Sequence, residues 1–243
     1  MLIVNADDWG RTREETDAAL QCFRRGRVSS VTAMVFMDDS DRAAALAREA
    51  CIDAGLHLNL SQAFASRTPD VRVRESHDRV VRFLSSSRFA VLLYHPGLRD
   101  DFRRVCDAQL AEFERLYGRP PSHVDGHQHK HLCLNMLWGA PLPSGAKVRR
   151  GFHFWPGEKS ALNRLYRRYV DATLLRKYRS TAYFFALSQC LNPQRLDRVI
   201  ALARVEPVEL MTHPVHSRER ELLLDDAFGR RLADLRIGTY NEI

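Results

Sequence analysis

The chain has 243 residues, 45% hydrophobic and 28% charged, an ordinary globular composition that excludes a mostly disordered or collagen-like protein. No apolar run of about 18 residues is present to make a membrane-spanning helix. Lys and Arg outnumber Asp and Glu by 37 to 30, but the arginine pairs at Arg24-Arg25, Arg103-Arg104, Arg149-Arg150, Arg167-Arg168 and Arg230-Arg231 are scattered, which reads as solvated surface and argues against nucleic acid as a partner.

Leu2 to Ala6 is a short apolar run that meets Asp7-Asp8 and Gly10, as a buried strand does before a loop. It has no basic leader and no long apolar stretch of the kind an export signal needs. Thr12 stands three residues before Glu15, a capping-box spacing, and predicts a helix from about Arg13 to Arg25 with Gly26 as its stop. Val31 to Phe36 reads as a strand, Asp41 to Cys51 as an Ala-rich helix, and Ala54 to Leu60 as a third strand. Residues 62–100 read as an irregular insert, with a short element at Val80 to Leu84. Asp101 to Tyr117 is a strong helix pattern closed by Gly118 and Pro120-Pro121. Ser122 to Asp125 predicts a fourth strand that runs into a His-rich turn and then a short helix over Leu132 to Trp138. Strands at Lys147 to Gly151, Thr181 to Phe185 and Val208 to Thr212 alternate with helices at Lys159 to Tyr178, Pro193 to Arg204 and Glu219 to Leu235.

Strand and helix therefore alternate throughout, which predicts an α/β fold with a parallel sheet and helical crossovers. Seven predicted strands favour a closed or nearly closed (β/α) barrel, distorted or incomplete, in a single domain over residues 1–243. No G-x-G-x-x-G follows the first strand and no Walker A loop occurs, so nucleotide-binding variants lose support. The five cysteines (22, 51, 106, 133, 190) are scattered without a Cys-x-x-Cys pair, which argues against a thiolate zinc site and for reduced thiols in the cytoplasm.

The polar residues that stand out follow predicted strands. Asp7 and Asp8 end the first, His57 and Asn59 lie in the third, Asp125, His127, His129 and His131 follow the fourth, and His213 ends the last. In a (β/α) barrel these carboxyl ends meet on one face. Carboxylate and imidazole together suit a divalent metal. Asp125, His127, His129 and His131 occupy alternate positions and would share a face if the strand continued, while Gly126 would allow a sharp turn that aims His127 inward. Two adjacent acids repel, so Asp7-Asp8 at a strand end invites a cation or a shared proton. His57 alone would be read as a hydrogen-bonded core residue, and Trp9 as packing, although a Trp beside the acids could stack on a sugar ring. No nucleophile-elbow context surrounds a Ser or Cys.

Taken together, Asn-Ala-Asp-Asp-Trp-Gly (5–10), Gly-Leu-His-Leu-Asn-Leu (55–60), Asp-Gly-His-Gln-His-Lys-His (125–131) and Met-Thr-His-Pro (211–214) resemble the YdjC-like carbohydrate deacetylases of the ChbG and HpnK type. The resemblance implies a (β/α) barrel related to polysaccharide deacetylases and a hydrolase that removes an N-acetyl group from an amino sugar, releasing acetate. It implies one divalent ion, zinc or magnesium first, with manganese, cobalt or nickel as alternatives. Asp8, His57 and His127 would ligate it, Asp7 would be the general base and His213 the general acid. Asp125 would orient a ligating histidine, with His129, His131, Trp9 and Asn59 as further outer or substrate-contacting residues. The family usually has Phe where Trp9 stands, Gly where Val215 stands, and a Thr/Gly/Pro-containing segment where Ser61 to Phe64 stands. The implied partner is an N-acetylated sugar, and a homodimer is permitted. Two rivals stand beside this reading: another metal hydrolase such as a phosphoesterase, and a non-catalytic carbohydrate or polyanion binder on the same scaffold.

Overall fold

The computed structural model describes residues 1–65, 70–139 and 141–243. Six parallel strands form one curled sheet in the order β4-β3-β2-β1-β6-β5. The strands are β1 (Leu2–Trp9), β2 (Ser30–Ala33), β3 (Asp53–Leu58), β4 (Val124–Gly126), β5 (Tyr183–Ala186) and β6 (Val208–Thr212). Helices α1 (Arg13–Arg24), α2 (Ser40–Glu49), α3 (Val71–Ser85), α4 (Arg99–Tyr117), α5 (Leu134–Gly139), α6 (Ala161–Leu174), α7 (Pro193–Ala203), α8 (Ser217–Leu224) and α9 (Asp226–Leu232) provide the crossovers and the outer layer. None of the described helices is long and apolar enough to cross a membrane.

β1 is central, flanked by β2 and β6, and every residue in it is buried. A strand buried on both faces is the signature of a parallel sheet covered by helices. Its period of two sorts the residues. Leu2, Val4 and Ala6 join the apolar core beneath the helices, while Asn5 and Asp7 share the concave face and hydrogen-bond at 2.9 Å. Thr32 from β2, His57 from β3, Asp125 from β4 and Glu209 from β6 are buried with them. The inside of the half-barrel is thus polar and charged, and the apolar core lies mainly outside it.

The seventh predicted strand, Lys147 to Gly151, exists only as isolated bridges. Val124 pairs with Val148, and Lys147 with Arg179, across the open side next to β4. The barrel is therefore incomplete. Gly55 is needed here for close approach, since a Cβ on it would come within 2.5 Å of the His123 ring. In the stretch read as an irregular insert, Val71–Ser85 is a full helix, capped by Asp70, which accepts from the Arg72 amide at 2.7 Å. Residues 66–69 of that stretch lie outside the described residues. The last predicted helix is broken at Asp225, which is extended and caps α9 through the Ala227 amide. Thr12 caps α1 as its spacing predicts, and Gly118 ends α4 in the left-handed conformation.

Candidate metal centre

Successive strand residues point to opposite faces, so Asp7 and Asp8 should part company. They do not, because Asp8 adopts a left-handed backbone (φ 65°) and the β1–β2 register shifts between Ala6 and Trp9. Asp is among the residues that tolerate this conformation best. The kink turns the Asp8 carboxylate back toward the barrel mouth, where both imidazoles meet it. His127 Nδ1 is 2.9 Å and His57 Nε2 3.3 Å from Asp8 Oδ1. The three potential ligand atoms lie within 4.8 Å of one another, and all three residues are buried.

His57 is held from behind. It pairs in register with Asp125 across β3 and β4, and its Nδ1 lies 2.6 Å from Asp125 Oδ1. That contact fixes the ring and turns Nε2 toward Asp8, the arrangement in which a carboxylate supports a metal-ligating histidine. Burial opposes charge on His57, yet Asp125 and Asp7 outweigh it and raise its pKa well above the usual imidazole value. Burial likewise works against ionised Asp8, but the hydrogen bonds from His127 and His57 prevail and hold its carboxyl far below the usual range. One carboxylate facing two imidazole nitrogens is a donor set that fits a divalent ion.

Asp7 sits beside this trio. Its Oδ1 accepts from Asn5 at 2.9 Å, Thr32 at 3.1 Å and Arg149 Nη2 at 2.7 Å, and its Oδ2 accepts from Arg149 Nη1 at 2.7 Å. Burial raises the Asp7 pKa, but Arg149, followed by His57, overrides it and keeps the group ionised. His213 reaches the other side of Asp8, with Nε2 3.9 Å from Oδ2, and is about a quarter exposed. Its loop is pinned by Glu219, whose Oε2 accepts from the His213 amide and the Thr212 hydroxyl, each at 2.8 Å.

The structure thus brings Asp7, Asp8, His57, His127, Asp125 and His213 together. It does not bring the rest. β4 ends at Gly126, so His129 and His131 do not continue the His127 face. The turn is made by Gln128 and His129, both at positive φ, while Gly126 itself is extended and serves as a close-approach site under His131. His129 packs edge-on against Phe152, and burial, then Arg149, lowers its pKa to about 3. His131 turns inward, with Nε2 3.0 Å from the Arg149 carbonyl. Trp9 has no exposed surface and its indole donates to the Ala43 carbonyl, so it offers no face to a sugar and its departure from the family pattern lies in the core. Asn59 shapes the turn after β3, its Oδ1 accepting from the Ser61 and Gln62 amides.

Sequence reasoning missed Arg149, and read it as surface. It is fully buried, and its guanidinium reaches Asp7, Asp125 (2.5 Å) and Glu209 (2.5 Å). The available signal was electrostatic: several acids in apolar strands need a buried cation. Arg11 was missed as well. Glu15 anchors it at 2.6 Å, and its Nη1 lies 3.1 Å from Asp8 Oδ2 at the edge of the trio. Two further groupings of metal-binding residue types, Asp7-His57-Asp125 and His123-Asp125-Glu209, overlap the first. Their carboxylates are already engaged by Arg149, which leaves little donor capacity for a second ion.

A family model described as YdjC-like protein matches residues 1–241 of this chain. A chitooligosaccharide deacetylase of Serratia marcescens is 34% identical over 88% of the chain and 81% of its own length. One from Yersinia enterocolitica is 27% identical over 100% of the chain and 98% of its own length. A mouse carbohydrate deacetylase is 35% identical over 54% of the chain, a match that spans only 43% of the mouse protein. A solved structure of a protein from Enterococcus faecalis V583, named for cellobiose-phosphate cleavage, superposes with a TM-score of 0.69 over 99% of this chain and 97% of its own, at 20% identity. That last likeness is one of fold.

Proposed function

This chain belongs to the YdjC-like family, and from that membership we propose that it is a metal-dependent hydrolase that removes an N-acetyl group from an amino sugar or N-acetylated oligosaccharide. The observation that carries the reading is the convergence of Asp8, His57 and His127 on one point, with Asp7 and His213 on either side. Relatives named for carbohydrate and chitooligosaccharide deacetylation supply the substrate class.

Asp8 Oδ1, His57 Nε2 and His127 Nδ1 are the atoms that would hold the ion. Two imidazoles with one carboxylate suit zinc better than magnesium, which prefers oxygen. Such an ion supplies Lewis acidity at the amide carbonyl and acidifies a water. Asp7 is the general base. Its Oδ2 has a single partner and so keeps capacity to take a proton from the attacking water. Arg149 fixes that carboxylate by two parallel bonds, so it does not swing toward the neighbouring cation. Asp125 keeps the His57 proton on Nδ1. His213, at the mouth and partly open to solvent, delivers a proton to the leaving nitrogen, since an amine anion is a very poor leaving group.

The protein is further proposed to act in the cytoplasm; four of its five free cysteines are buried. The phosphoesterase reading weakens because such chemistry often uses two ions, and the overlapping carboxylates are occupied by Arg149. The test is acetate release by zinc-loaded protein from N-acetylated monosaccharides, chitooligosaccharides and sugar lipids, with Asp7→Asn as the blank. Release by the wild type alone supports the assignment. Release of phosphate from sugar phosphates, with no acetate from any substrate, overturns it.

A further inference from the structure

The chain after α9 returns beneath the sheet. Leu2 bridges Ile237, and the Gly238 amide donates to the Leu2 carbonyl at 3.0 Å. A single helical turn over Tyr240–Glu242 follows, with Thr239 and Glu242 forming a reciprocal capping box. Lys147 Nζ donates to the Tyr240 carbonyl at 2.5 Å, and Asn241 donates to Asp53 Oδ1 at 2.7 Å. The Tyr240 ring is fully buried and stacks on His123 with centroids 3.7 Å apart. Its hydroxyl donates to Glu209 Oε2.

Glu209 is the second residue of β6, near the amino-terminal end of the strands, and is itself fully buried. Its Oε1 accepts from Arg149 Nε at 2.8 Å and Nη2 at 2.5 Å. The other side of the same guanidinium holds Asp7 and Asp125. A guanidinium has five N–H donors in a rigid fork. Here Nε and Nη2 donate to Glu209 Oε1, Nη1 and Nη2 donate to the two Asp7 oxygens, and Nη1 pairs ionically with Asp125 Oδ2. Three carboxylates share this one rigid plane, two of them through hydrogen bonds and Asp125 through an ion pair, so turning the plane to satisfy one differently disturbs the others. One continuous chain of polar contacts then runs from the Tyr240 hydroxyl through Glu209 and Arg149 to Asp7, and through Asp125 to His57.

We propose that Tyr240 is a positioning residue for the reaction: its hydroxyl, acting through Glu209 and Arg149, sets the orientation of Asp7 and Asp125, which makes the turn at 239–242 part of the candidate centre. Packing alone does not call for this hydroxyl. A phenylalanine ring would fill the same space and stack on His123 equally well. Without the hydroxyl, Glu209 Oε2 is a buried carboxylate oxygen lacking a donor, and such atoms drive rearrangement. The carboxylate rotates to recover a partner, Arg149 follows its two bonds to Oε1, and both catalytic-side carboxylates move. The roles of Asp7 and Asp125 in this inference rest on the deacetylase reading. The contact chain itself does not.

The test therefore has two independent readouts on Tyr240→Phe. The first is turnover: kcat is expected to fall about tenfold while KM stays within about twofold, because the substrate-facing surface is untouched. The second is taken on the metal-free protein, from the imidazole nitrogen spectrum: the His57 Nδ1–H signal is expected to shift and broaden. Glu209→Gln is made alongside, should Tyr240→Phe fold poorly, and is expected to give the same two changes. Unchanged kcat per folded molecule with an unmoved His57 signal, in either folded variant, overturns the proposal even if stability drops. If the wild type releases no acetate from any substrate, the deacetylase reading has failed and the His57 signal alone decides: a shift keeps the contact chain, and none removes it.

Discussion

Arg149→Met lowers stability by about 3–5 kcal/mol, a fall in Tm of about 10 °C, and the loss is larger at pH 8 than at pH 5. The guanidinium has no solvent exposure and faces Asp7, Asp125 and Glu209 together. Methionine fills much of the volume but leaves three buried carboxylates without their cation. Breaking a buried ion pair from one side costs far more than the pair contributes. The pH direction follows from linkage. In the wild type Arg149 is the chief influence holding the Asp7 pKa below its unfolded value, against burial, so Asp7 contributes stability above about pH 4 that is lost as pH falls through its folded pKa. Glu209 already shows the opposite tendency, burial raising it to about 7 despite Arg149. With Arg149 gone, burial acts unopposed by that cation on Asp7 and Glu209, and both take raised values. Groups raised above their unfolded values favour the folded state in acid and lose that favour as pH rises through the folded pKa. Thermal melts of both proteins across that range check the result. A pH-independent loss under about 1 kcal/mol would mean that the arginine is dispensable to the network.

Asp7→Asn and Asp8→Ala separate the two adjacent acids. Asp8→Ala is expected to lose bound metal and activity together, since its Oδ1 faces both imidazoles. Asp7→Asn is expected to keep one ion per chain and to lose turnover by about 10³-fold, the scale of a general base. The amide oxygen of the asparagine can still accept one of the two Arg149 bonds, while its amide nitrogen cannot accept the other, so part of the tie to Arg149 is kept. Metal content by elemental analysis, beside initial rates, gives the answer. Metal loss in Asp7→Asn with none in Asp8→Ala would reverse the two roles.

The centre was legible in the sequence to the extent that parallel topology forces it. Asp8, His57, His127 and His213 are separated by up to 205 residues, but each lies in a strand or directly follows one, and strand ends of such a sheet meet at one rim. β6 matches its predicted bounds, Val208 to Thr212, because an apolar run between turn signals leaves little choice. Periodicity then failed where the backbone stops being periodic. The alternate histidines at 127, 129 and 131 part at the end of β4, where two left-handed residues replace the pleat. Helix α3 was hidden because its buried stripe, Val73, His77, Val80 and Leu84, is thin and set among arginines. Arg149 was hidden because one arginine of an Arg-Arg pair is buried and the other is not, a distinction made by tertiary charge alone. Glu209 was the overlooked clue: a carboxylate one residue into an apolar strand faces inward and needs a cation.

Anomalous difference density from a crystal of this protein grown with zinc locates the ion. One ion is predicted, bonded at about 2.0–2.2 Å to Asp8, His57 and His127, with Asp7 beside it and tied to Arg149. An ion held instead by His123, Asp125 and Glu209, or no ion at the Asp8 trio at saturating zinc, would mean that Asp8, His57 and His127 are not the metal ligands.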